Sequence, residues 1–259
     1  MSKKYLNLGC GSKFHKDWTN ADISPRDKTV LKCNFLKGLP FEDESFDLVY
    51  HSHILEHMTK QDGIKFISEC IRVLKPGGII RIATPDLERL ASEYLRNLHR
   101  VRNNERNANY DYDWILLELY DQTVRNYPGG MMQEYLEKYG NNNSEYINNR
   151  IGLDVNKRNS ENNTKSRKDA LKKYFKSLIG KSNNVFLKPI VYFLVGKYRF
   201  MGEVHLWLYD SYSLQVILTN AGCKDVITRT AQTSYVLDWK DFQLDNPNET
   251  SSIFIEAIK

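Results

Sequence analysis

The chain has 259 residues, 41% of them hydrophobic, which suffices for one large domain or for a domain with an inserted lobe. The net charge of +5 is uneven, because ten lysines and arginines and one aspartate give residues 165–199 a charge of +9 and leave −4 for the rest. No run of 18 apolar residues occurs and Met1-Ser2-Lys3-Lys4 leads directly into a strand, so we expect a cytoplasmic protein with neither a membrane span nor a signal peptide.

Short apolar runs bounded by Gly, Pro, Asp or Asn predict five strands in the first third of the chain, at 5–8, 19–23, 29–33, 47–51 and 78–84. Apolar residues recur at a helical period over 60–74, which predicts a helix that Pro76-Gly77-Gly78 ends. This alternation is typical of an α/β, doubly wound, mainly parallel sheet. About seven residues separate Gly11 from the second strand, so we expect only a shortened turn of helix there.

The second half is less regular. Asp86 is expected to cap a helix that runs to about Arg100, and nine asparagines between Asn141 and Asn163 predict a mobile loop or a partly disordered segment. Basic, aromatic-rich helices are predicted over 168–199. Asp210 or Ser211 then begins a helix that Gly222 ends, and strands at 223–230 and 252–258 add an antiparallel hairpin, which makes seven strands.

Four cysteines, at positions 10, 33, 70 and 223, have no C-x-x-C spacing and no histidine cluster beside them. This pattern favours free thiols in a reducing compartment. The string from His53 to Glu56-His57 also admits a metal ion, but no third ligand at a suitable spacing is evident, so we predict no metal site.

The first strand runs into the turn Gly9-Cys10-Gly11, where glycine lets the backbone approach a ligand because it has no Cβ atom. A dinucleotide fingerprint would need a third small residue, but Phe14 stands at that position. The acidic residue Asp22 also follows Gly11 by eleven residues rather than by about 20. The sequence therefore favours a cofactor with a single nucleoside.

Six motifs occur in an order that resembles the class I, Rossmann-like S-adenosylmethionine-dependent methyltransferases, and in particular a small branch associated with surface-polysaccharide synthesis. The similarity covers about residues 4–95 and resumes at about 203–221. It implies a cofactor-binding part at 1–100, a helical, partly mobile insertion or lid at 101–202, and a C-terminal part of the methyltransferase domain at 203–259. The motifs are Leu6–Gly11, Trp18–Asp22, Gly38–Phe41, Ser45–Tyr50, Leu55–His57 and Arg72–Gly78.

The resemblance implies S-adenosylmethionine as the cofactor, bound at the carboxyl ends of the strands. Asp22 would accept the ribose hydroxyls, Asn34 would stand where the family usually has the aspartate that holds the adenine amino group, and Phe35 and Leu36 would sandwich adenine. Asp22 and Asn34 could instead be ordinary turn residues. The family pattern places His53, Glu56 and His57 at the methionine end, although His57 equally suits a helix-packing residue. The full predicted set is Asn7, Gly9, Cys10, Gly11, Asp22, Ile23, Asn34, Phe35, Leu36, Ser52, His53 and His57.

The predicted reaction is methyl transfer to a hydroxyl of a sugar or glycan intermediate. An alcohol is barely ionised at neutral pH and must lose its proton as the methyl group moves, a task that suits histidine. His53 and His205 are the candidate bases, with Asp86 as an orienting or alternative group. His205 is also compatible with a packing role, because Leu206 and Trp207 follow it.

Two alternatives stay open: methylation of another small metabolite, and a cofactor-binding scaffold without turnover. The expected acceptor is a sugar, a nucleotide-sugar or a lipid-linked glycan. The basic segment 165–199 is interpreted as a solvated helical lid, or as a peripheral contact with anionic lipid at the inner face of the membrane. No RNA-binding motif appears, and the Asn/Asp-Pro-Pro-aromatic string typical of base-amino methyltransferases is absent, which argues against nucleic acid. The sequence does not indicate the oligomeric state.

Overall fold

A computed structural model describes residues 3–152, 177 and 188–259 of the chain. These residues form two compact units. The first contains the described residues of Met1–Glu88, Leu206–Pro247 and Ser251–Lys259, and the second contains those of Arg89–His205 and Asn248–Thr250. The predicted lid at 101–202 stays a prediction, since residues 153–176 and 178–187 lie outside the described residues.

The first unit is built on a seven-stranded sheet with the strand order β3-β2-β1-β4-β5-β7-β6. Strands β1 to β5 are parallel to one another, whereas β7 runs antiparallel to both β5 and β6. The predicted α/β, mainly parallel seven-stranded sheet with an antiparallel edge is therefore confirmed. The strands are β1 (Tyr5–Leu8), β2 (Thr19–Asp22), β3 (Leu31–Lys32), β4 (Phe46–Ser52), β5 (Leu74–Pro85), β6 (Lys224–Arg229) and β7 (Ser252–Ile258).

Both faces of the central strands are buried, as is usual for parallel strands. Successive side chains of a strand point to opposite faces, so Val49 of β4 joins the core beneath two helices while Leu48 and Tyr50 join a second, aromatic cluster. The helices are α1 (Lys60–Val73), which contributes Phe66 and Ile67 to the first core, and α8 (Ser211–Asn220). The aromatic cluster contains Trp18 and Trp239.

Helix ends follow the local capping chemistry. Thr59 caps α1 by accepting a hydrogen bond from the backbone N–H of Asp62, and Asp210, rather than Ser211, caps α8 in a capping box with Ser213. Gly222, at φ +91°, follows the end of α8 as predicted. The helix predicted over 60–74 is confirmed to within one residue: α1 ends at Val73, and β5 begins at Leu74.

Two further predictions need correction. The connection from Gly11 to β2 contains two separate turns instead of a turn of helix, closed by hydrogen bonds from Lys13 N to Cys10 O (2.9 Å) and from Trp18 N to His15 O (3.1 Å). Part of the asparagine-rich stretch is helical, over Ser144–Ile151, because tertiary packing of a few apolar side chains overrides weak local propensity. The remainder of that stretch, 153–163, lies outside the described residues.

The second unit is helical in its described part. Its small core brings together Trp114, Tyr135, Leu136 and Ile147, and beside it Arg150 donates two hydrogen bonds to the buried carboxylate of Glu118, at 3.1 and 2.7 Å. The segment 117–121 forms a π-helical turn. The helices are α2 (Leu87–Arg102), which begins in the first unit, α3 (Ala108–Leu116), α4 (Gln122–Val124), α5 (Gly130–Tyr139), α6 (Ser144–Ile151) and α7 (Lys188–Arg199).

Arg81, at the centre of β5, is fully buried and uses all five of its N–H donors. Its guanidinium bonds the carboxylates of Asp245 (2.9 and 2.7 Å) and Glu256 (2.8 Å) and the carbonyls of Thr230 (2.8 Å) and Thr233 (2.9 Å). It also lies 4.4 Å from the centre of the Trp239 ring. This one side chain therefore connects the sheet to the segment 230–245.

We predict that Arg81→Met lowers the free energy of unfolding by about 3–5 kcal/mol, because it leaves the buried carboxylate of Asp245 without its counter-charge and leaves that of Glu256 paired with Arg229 alone. Lys75→Met is the matched control: Lys75 pairs with Asp47 at 2.8 Å, but both side chains are partly exposed, so the loss should be under about 1 kcal/mol. Urea denaturation measures both variants. Equal losses of unfolding free energy in the two variants would contradict a special contribution of Arg81 to stability.

Candidate functional site

The glycine turn after β1 needs its two glycines for different reasons. Both have positive φ angles, +64° at Gly9 and +53° at Gly11. A Cβ atom at Gly9 would lie 2.3 Å from the side chain of Ile54, whereas one at Gly11 would meet nothing within 4 Å. Gly9 is therefore required by packing within the protein. Gly11 leaves the backbone facing open space that a ligand can approach.

Asp22, at the end of β2, connects this turn to the neighbouring strand. Its Oδ2 accepts a hydrogen bond from Gly11 N (2.9 Å) and its Oδ1 accepts one from Ser24 N (2.7 Å). Each carboxylate oxygen keeps a second lone pair, so Asp22 can still accept ribose hydroxyls while it holds the turn. Asn7, buried on β1, supports the same turn by donating to Lys13 O (3.2 Å).

Cys10, between the two glycines, is buried. Burial and the nearby negative charge of Asp22 raise the pKa of its thiol to about 11. The group is therefore a neutral thiol at neutral pH, and its predicted place at the cofactor turn gives it no nucleophilic role. All four cysteines are buried and unpaired.

The structure corrects the prediction for Phe35. Its ring is buried and packs on Phe66 of α1, with 5.6 Å between the ring centres, so it faces the core and cannot sandwich adenine. Leu36 and Ile23 point outward instead, with exposures of 62% and 57%. Asn34 begins the 3-10 turn Phe35–Lys37 and accepts a hydrogen bond from Leu36 N (3.1 Å), as a turn residue would.

The end of β4 holds a histidine against a buried carboxylate. His53 has a φ of +53°, and its Nδ1 lies 3.1 Å from Oε1 of Glu56. Its Nε2 lies 3.3 Å from Oγ of Ser252 on β7. The second oxygen of Glu56 accepts a hydrogen bond from Thr84 on β5 (3.1 Å). His53 is 40% exposed at its side chain, while Glu56 is fully buried.

The other predicted residues of this region have distinct positions. Ser52 is the last residue of β4 and pairs with Ala83 of β5. His57 is partly buried, with Nε2 at 4.0 Å from Glu56 Oε1. The carbonyl of Glu56 accepts hydrogen bonds from two backbone N–H groups, those of Leu206 (2.7 Å) and Trp207 (3.2 Å).

The predicted role of Asp86, as an orienting or alternative group, stays a prediction. The carboxylate in contact with His53 belongs to Glu56, and Oδ1 of the buried Asp86 accepts a hydrogen bond from Glu88 N (3.0 Å) at the start of α2. His205 belongs to the second unit, where its side chain is buried and its backbone N–H donates to Gln122 O (2.8 Å). Its role as a base stays a prediction.

Sequence reasoning missed two contacts of the His53 side chain, with Glu56 and Ser252, and the contact of Glu56 with Thr84. The spacing of three residues to Glu56 is visible in the sequence and could have indicated a carboxylate–histidine pair. No sequence signal could have found Ser252, which lies 199 residues away, or Thr84. Both reach the site only through strand pairing in the sheet.

Residues 6–82 match the family model described as "Methyltransferase domain". The matched segment contains β1 to β4, α1 and most of β5, together with the glycine turn, Asp22 and His53. The match covers the amino-terminal part of the sheet and ends before Thr84 and Asp86.

Curated relatives resemble about a third of the chain. A probable S-adenosylmethionine-dependent methyltransferase of Mycolicibacterium smegmatis is 43% identical over 99 residues, covering 31% of this chain and 37% of that protein. A chloroplastic tocopherol O-methyltransferase of Arabidopsis thaliana is 33% identical over 106 residues, or 32% of this chain and 30% of its own. This chain thus aligns with about a third of the length of these relatives.

A solved structure of an S-adenosylmethionine-dependent methyltransferase from Archaeoglobus fulgidus covers 99% of this chain and 86% of its own length. The identity is 14% and the TM-score is 0.40, a likeness too low to add to the topology described above. Within the described residues, no helix is long and apolar enough to cross a bilayer. A cytoplasmic location stays a prediction.

His51, on β4, is fully buried against Phe66, and neither ring nitrogen has a hydrogen-bond partner among the described residues. Burial lowers its pKa from 6.5 to about 4, partly offset by the charge of Glu56. The folded protein therefore keeps His51 neutral where the unfolded chain would bind a proton.

We predict that stability falls as the pH drops from about 6.5 to about 4, because the unfolded chain binds more protons at His51 across this window. The contribution should be on the order of 3 kcal/mol. His51→Leu should flatten this part of the curve of unfolding free energy against pH, whereas the exposed control His99→Leu should leave it unchanged. An unaltered slope in His51→Leu would contradict the assignment.

Proposed function

We propose that this protein transfers a methyl group from S-adenosylmethionine to a hydroxyl group of a sugar or glycan intermediate. The observation that carries the hydroxyl acceptor is His53, a half-exposed imidazole held by a buried carboxylate at the carboxyl end of β4. Ligands of open α/β sheets bind at this edge. The glycine turn and Asp22 lie at the carboxyl ends of β1 and β2, on the same edge of the sheet.

The residues present fit the cofactor. Open space at Gly11 admits a ligand beside the backbone, and Asp22 keeps the lone pairs that two ribose hydroxyls need. Ile23 and Leu36, exposed after the neighbouring strands β2 and β3, offer apolar surface to an adenine ring. S-adenosylmethionine supplies an electrophilic methyl group on a sulfonium.

The chain supplies a base and a fixed geometry. As the acceptor oxygen bonds to the methyl carbon and the carbon–sulfur bond breaks, the hydroxyl proton passes to Nε2 of His53. The resulting imidazolium then releases this proton to water. General-base catalysis of this kind contributes about 10²–10⁴-fold to the rate. His205 is the alternative base in this proposal.

The class of the acceptor is argued from the names of two relatives. Relatives named as O-methyltransferases, the tocopherol enzyme and a ubiquinone biosynthesis enzyme of Parvibaculum lavamentivorans (26% identical over 102 residues), support an oxygen acceptor. They favour a small metabolite other than a sugar equally well. Release of S-adenosylhomocysteine in the presence of an acceptor distinguishes either enzyme from a scaffold without turnover.

We also propose a peripheral contact with anionic lipid. Of the basic segment 165–199, the structure describes Ser177 and α7 with its following turn. Ile190 and Phe193 share an exposed face of α7 with Lys197, and the next residues, Phe200 and Met201, are 75% and 70% exposed. Residues 188–201 contain three basic side chains and no acidic one, which complements an anionic surface.

The lipid contact predicts co-sedimentation with vesicles that contain phosphatidylglycerol but not with pure phosphatidylcholine. The double variant Phe193→Ser/Phe200→Ser should reduce the bound fraction several-fold, because it removes apolar surface that would enter the interface. Exposed Leu237→Ser, in the first unit, is the control and should bind as well as the wild type. Equal binding to neutral vesicles would contradict an electrostatic contact.

For the cofactor, we predict that Gly11→Val abolishes binding of S-adenosylmethionine and S-adenosylhomocysteine, because its methyl groups fill the open space that the ligand needs. Gly77→Val is the matched control, since Gly77 has a similar φ of +76° and equally open surroundings but lies near the amino end of β5. Asp22→Ala should weaken binding by about 1–3 kcal/mol. Calorimetry that finds full affinity in Gly11→Val would overturn the assignment.

For the base, we predict that alanine substitution of the true base lowers turnover by about 10²–10⁴-fold with little change in cofactor affinity. His53→Ala and His205→Ala are compared with His99→Ala, an exposed histidine of the second unit that should have no effect. If both test variants keep near-normal turnover on the acceptor, the base lies elsewhere and Asp86→Asn becomes the next variant.

A further inference from the structure

Glu56 is a carboxylate that the fold has buried completely. Burial of a charged group is costly unless hydrogen bonds compensate for the lost water. Here Oε1 contacts Nδ1 of His53 (3.1 Å) and Oε2 accepts a hydrogen bond from the fully buried hydroxyl of Thr84 (3.1 Å). The carboxylate thus points one oxygen at the sheet and the other at the exposed imidazole.

The backbone and the other ring nitrogen of His53 are also fixed. The backbone N–H donates to Ala83 O (2.9 Å) while the residue adopts a φ of +53°. Positive φ is uncommon for residues other than glycine and persists only where neighbouring contacts enforce it. Residues of β5 and β7 therefore position the half-exposed ring of His53, which follows β4. Ala83 and Ser252 contact His53 directly, and Thr84 acts through Glu56.

The contacts define where the ring carries its proton. An ionised carboxylate can only accept hydrogen bonds, so Glu56 requires a hydrogen on Nδ1 of the neutral imidazole. Nε2 then carries the lone pair, 3.3 Å from the hydroxyl of Ser252, which can donate to it. This set of contacts selects one tautomer, in which Nε2 is the basic atom.

Ser252, His53 and Glu56 together have the composition of a nucleophilic triad. Ser252 is fully buried, however, so its Oγ has no access to a substrate. The distance of 3.3 Å to Nε2 is also long for a hydroxyl hydrogen bond. The serine is thus a weak donor that an acceptor hydroxyl can replace at Nε2.

We propose that Glu56 is the positioning residue of the reaction: it fixes the Nδ1–H tautomer of His53 so that Nε2 can take the proton of the acceptor hydroxyl. Glu56 itself touches no reacting atom. The inference rests on the proposed function for its kinetic part, whereas the tautomer of His53 is a property of the free protein.

The test is Glu56→Gln, which keeps the size of the side chain but can donate as well as accept hydrogen bonds. In ¹⁵N-imidazole spectra of the free protein, wild-type His53 should show a protonated Nδ1 and an unprotonated Nε2, and the variant should show a mixture of tautomers. Turnover should fall by about 10–100-fold, as for other residues that orient a ligand histidine. The affinity for S-adenosylmethionine and the acceptor KM should change less than about twofold, because Glu56 contacts neither ligand in this proposal.

Glu88→Gln is the matched control, an exposed glutamate near the same edge of the sheet, and it should change neither the spectra nor turnover. If Glu56→Gln does not fold, Thr84→Val provides the second variant. It removes only the partner of Oε2, so it should loosen the carboxylate and lower turnover by a smaller factor. Thermal unfolding followed by circular dichroism establishes that each variant is folded.

The outcomes separate this inference from the proposed function. A wild-type His53 protonated on Nε2, or spectra unchanged by Glu56→Gln, overturns the positioning role whatever the activity. A shifted tautomer with unchanged turnover also overturns it, while leaving methyl transfer intact. If wild-type protein releases no S-adenosylhomocysteine with any acceptor, the proposed function fails, and the spectra still decide whether Glu56 sets the tautomer.

Discussion

The pairing of β5 with β7 is the constraint on which the site depends, and the buried guanidinium of Arg81 secures it. Arg81 lies opposite Glu256 in the register and bonds its carboxylate, so the antiparallel pair is fixed at this point. A shift by one residue would turn Arg81 toward the opposite face and break five buried hydrogen bonds. The same register places Ser252 opposite Pro85, which brings its hydroxyl to His53. The interaction at the centre of the sheet thus determines which groups meet at its edge.

The chemistry-bearing groups all follow strand ends, because both faces of the parallel strands are buried and only their ends leave polar groups accessible. β1 provides the glycine turn, β2 the carboxylate of Asp22, and β4 the imidazole of His53. Two acidic residues at these strand ends also hold the local backbone. The side chain of Asp22 bonds the turn, and the backbone carbonyl of Glu56, the residue that contacts His53, accepts hydrogen bonds from two backbone N–H groups. The Asp22 carboxylate that would bind the ribose therefore also holds the turn, and Glu56 both contacts His53 and holds the loop.

The sequence predicted the parts of the molecule that local pattern controls. Strand positions, the helix α1 and the capped helix α8 follow from hydrophobic period and end signals. The predictions failed where distant packing decides: α6 forms against Trp114 and Tyr135 despite its asparagines, and Phe35 turns inward to pack on Phe66. The glycine turn and Asp22 were visible as motifs. The contacts of His53 with Ser252 and of Glu56 with Thr84 were not, since they depend on strand order.

The high pKa of Cys10 has a consequence for selectivity between competing acceptors. Thiolates are strong nucleophiles, and one placed at the turn that holds a sulfonium methyl donor would be alkylated by it. With a pKa of about 11, only about one thiol in ten thousand is ionised at pH 7. Burial and the charge of Asp22, the same carboxylate that would hold the ribose, suppress this ionisation. In the proposed function, the neutral thiol would keep the glycine turn from being methylated by its own donor.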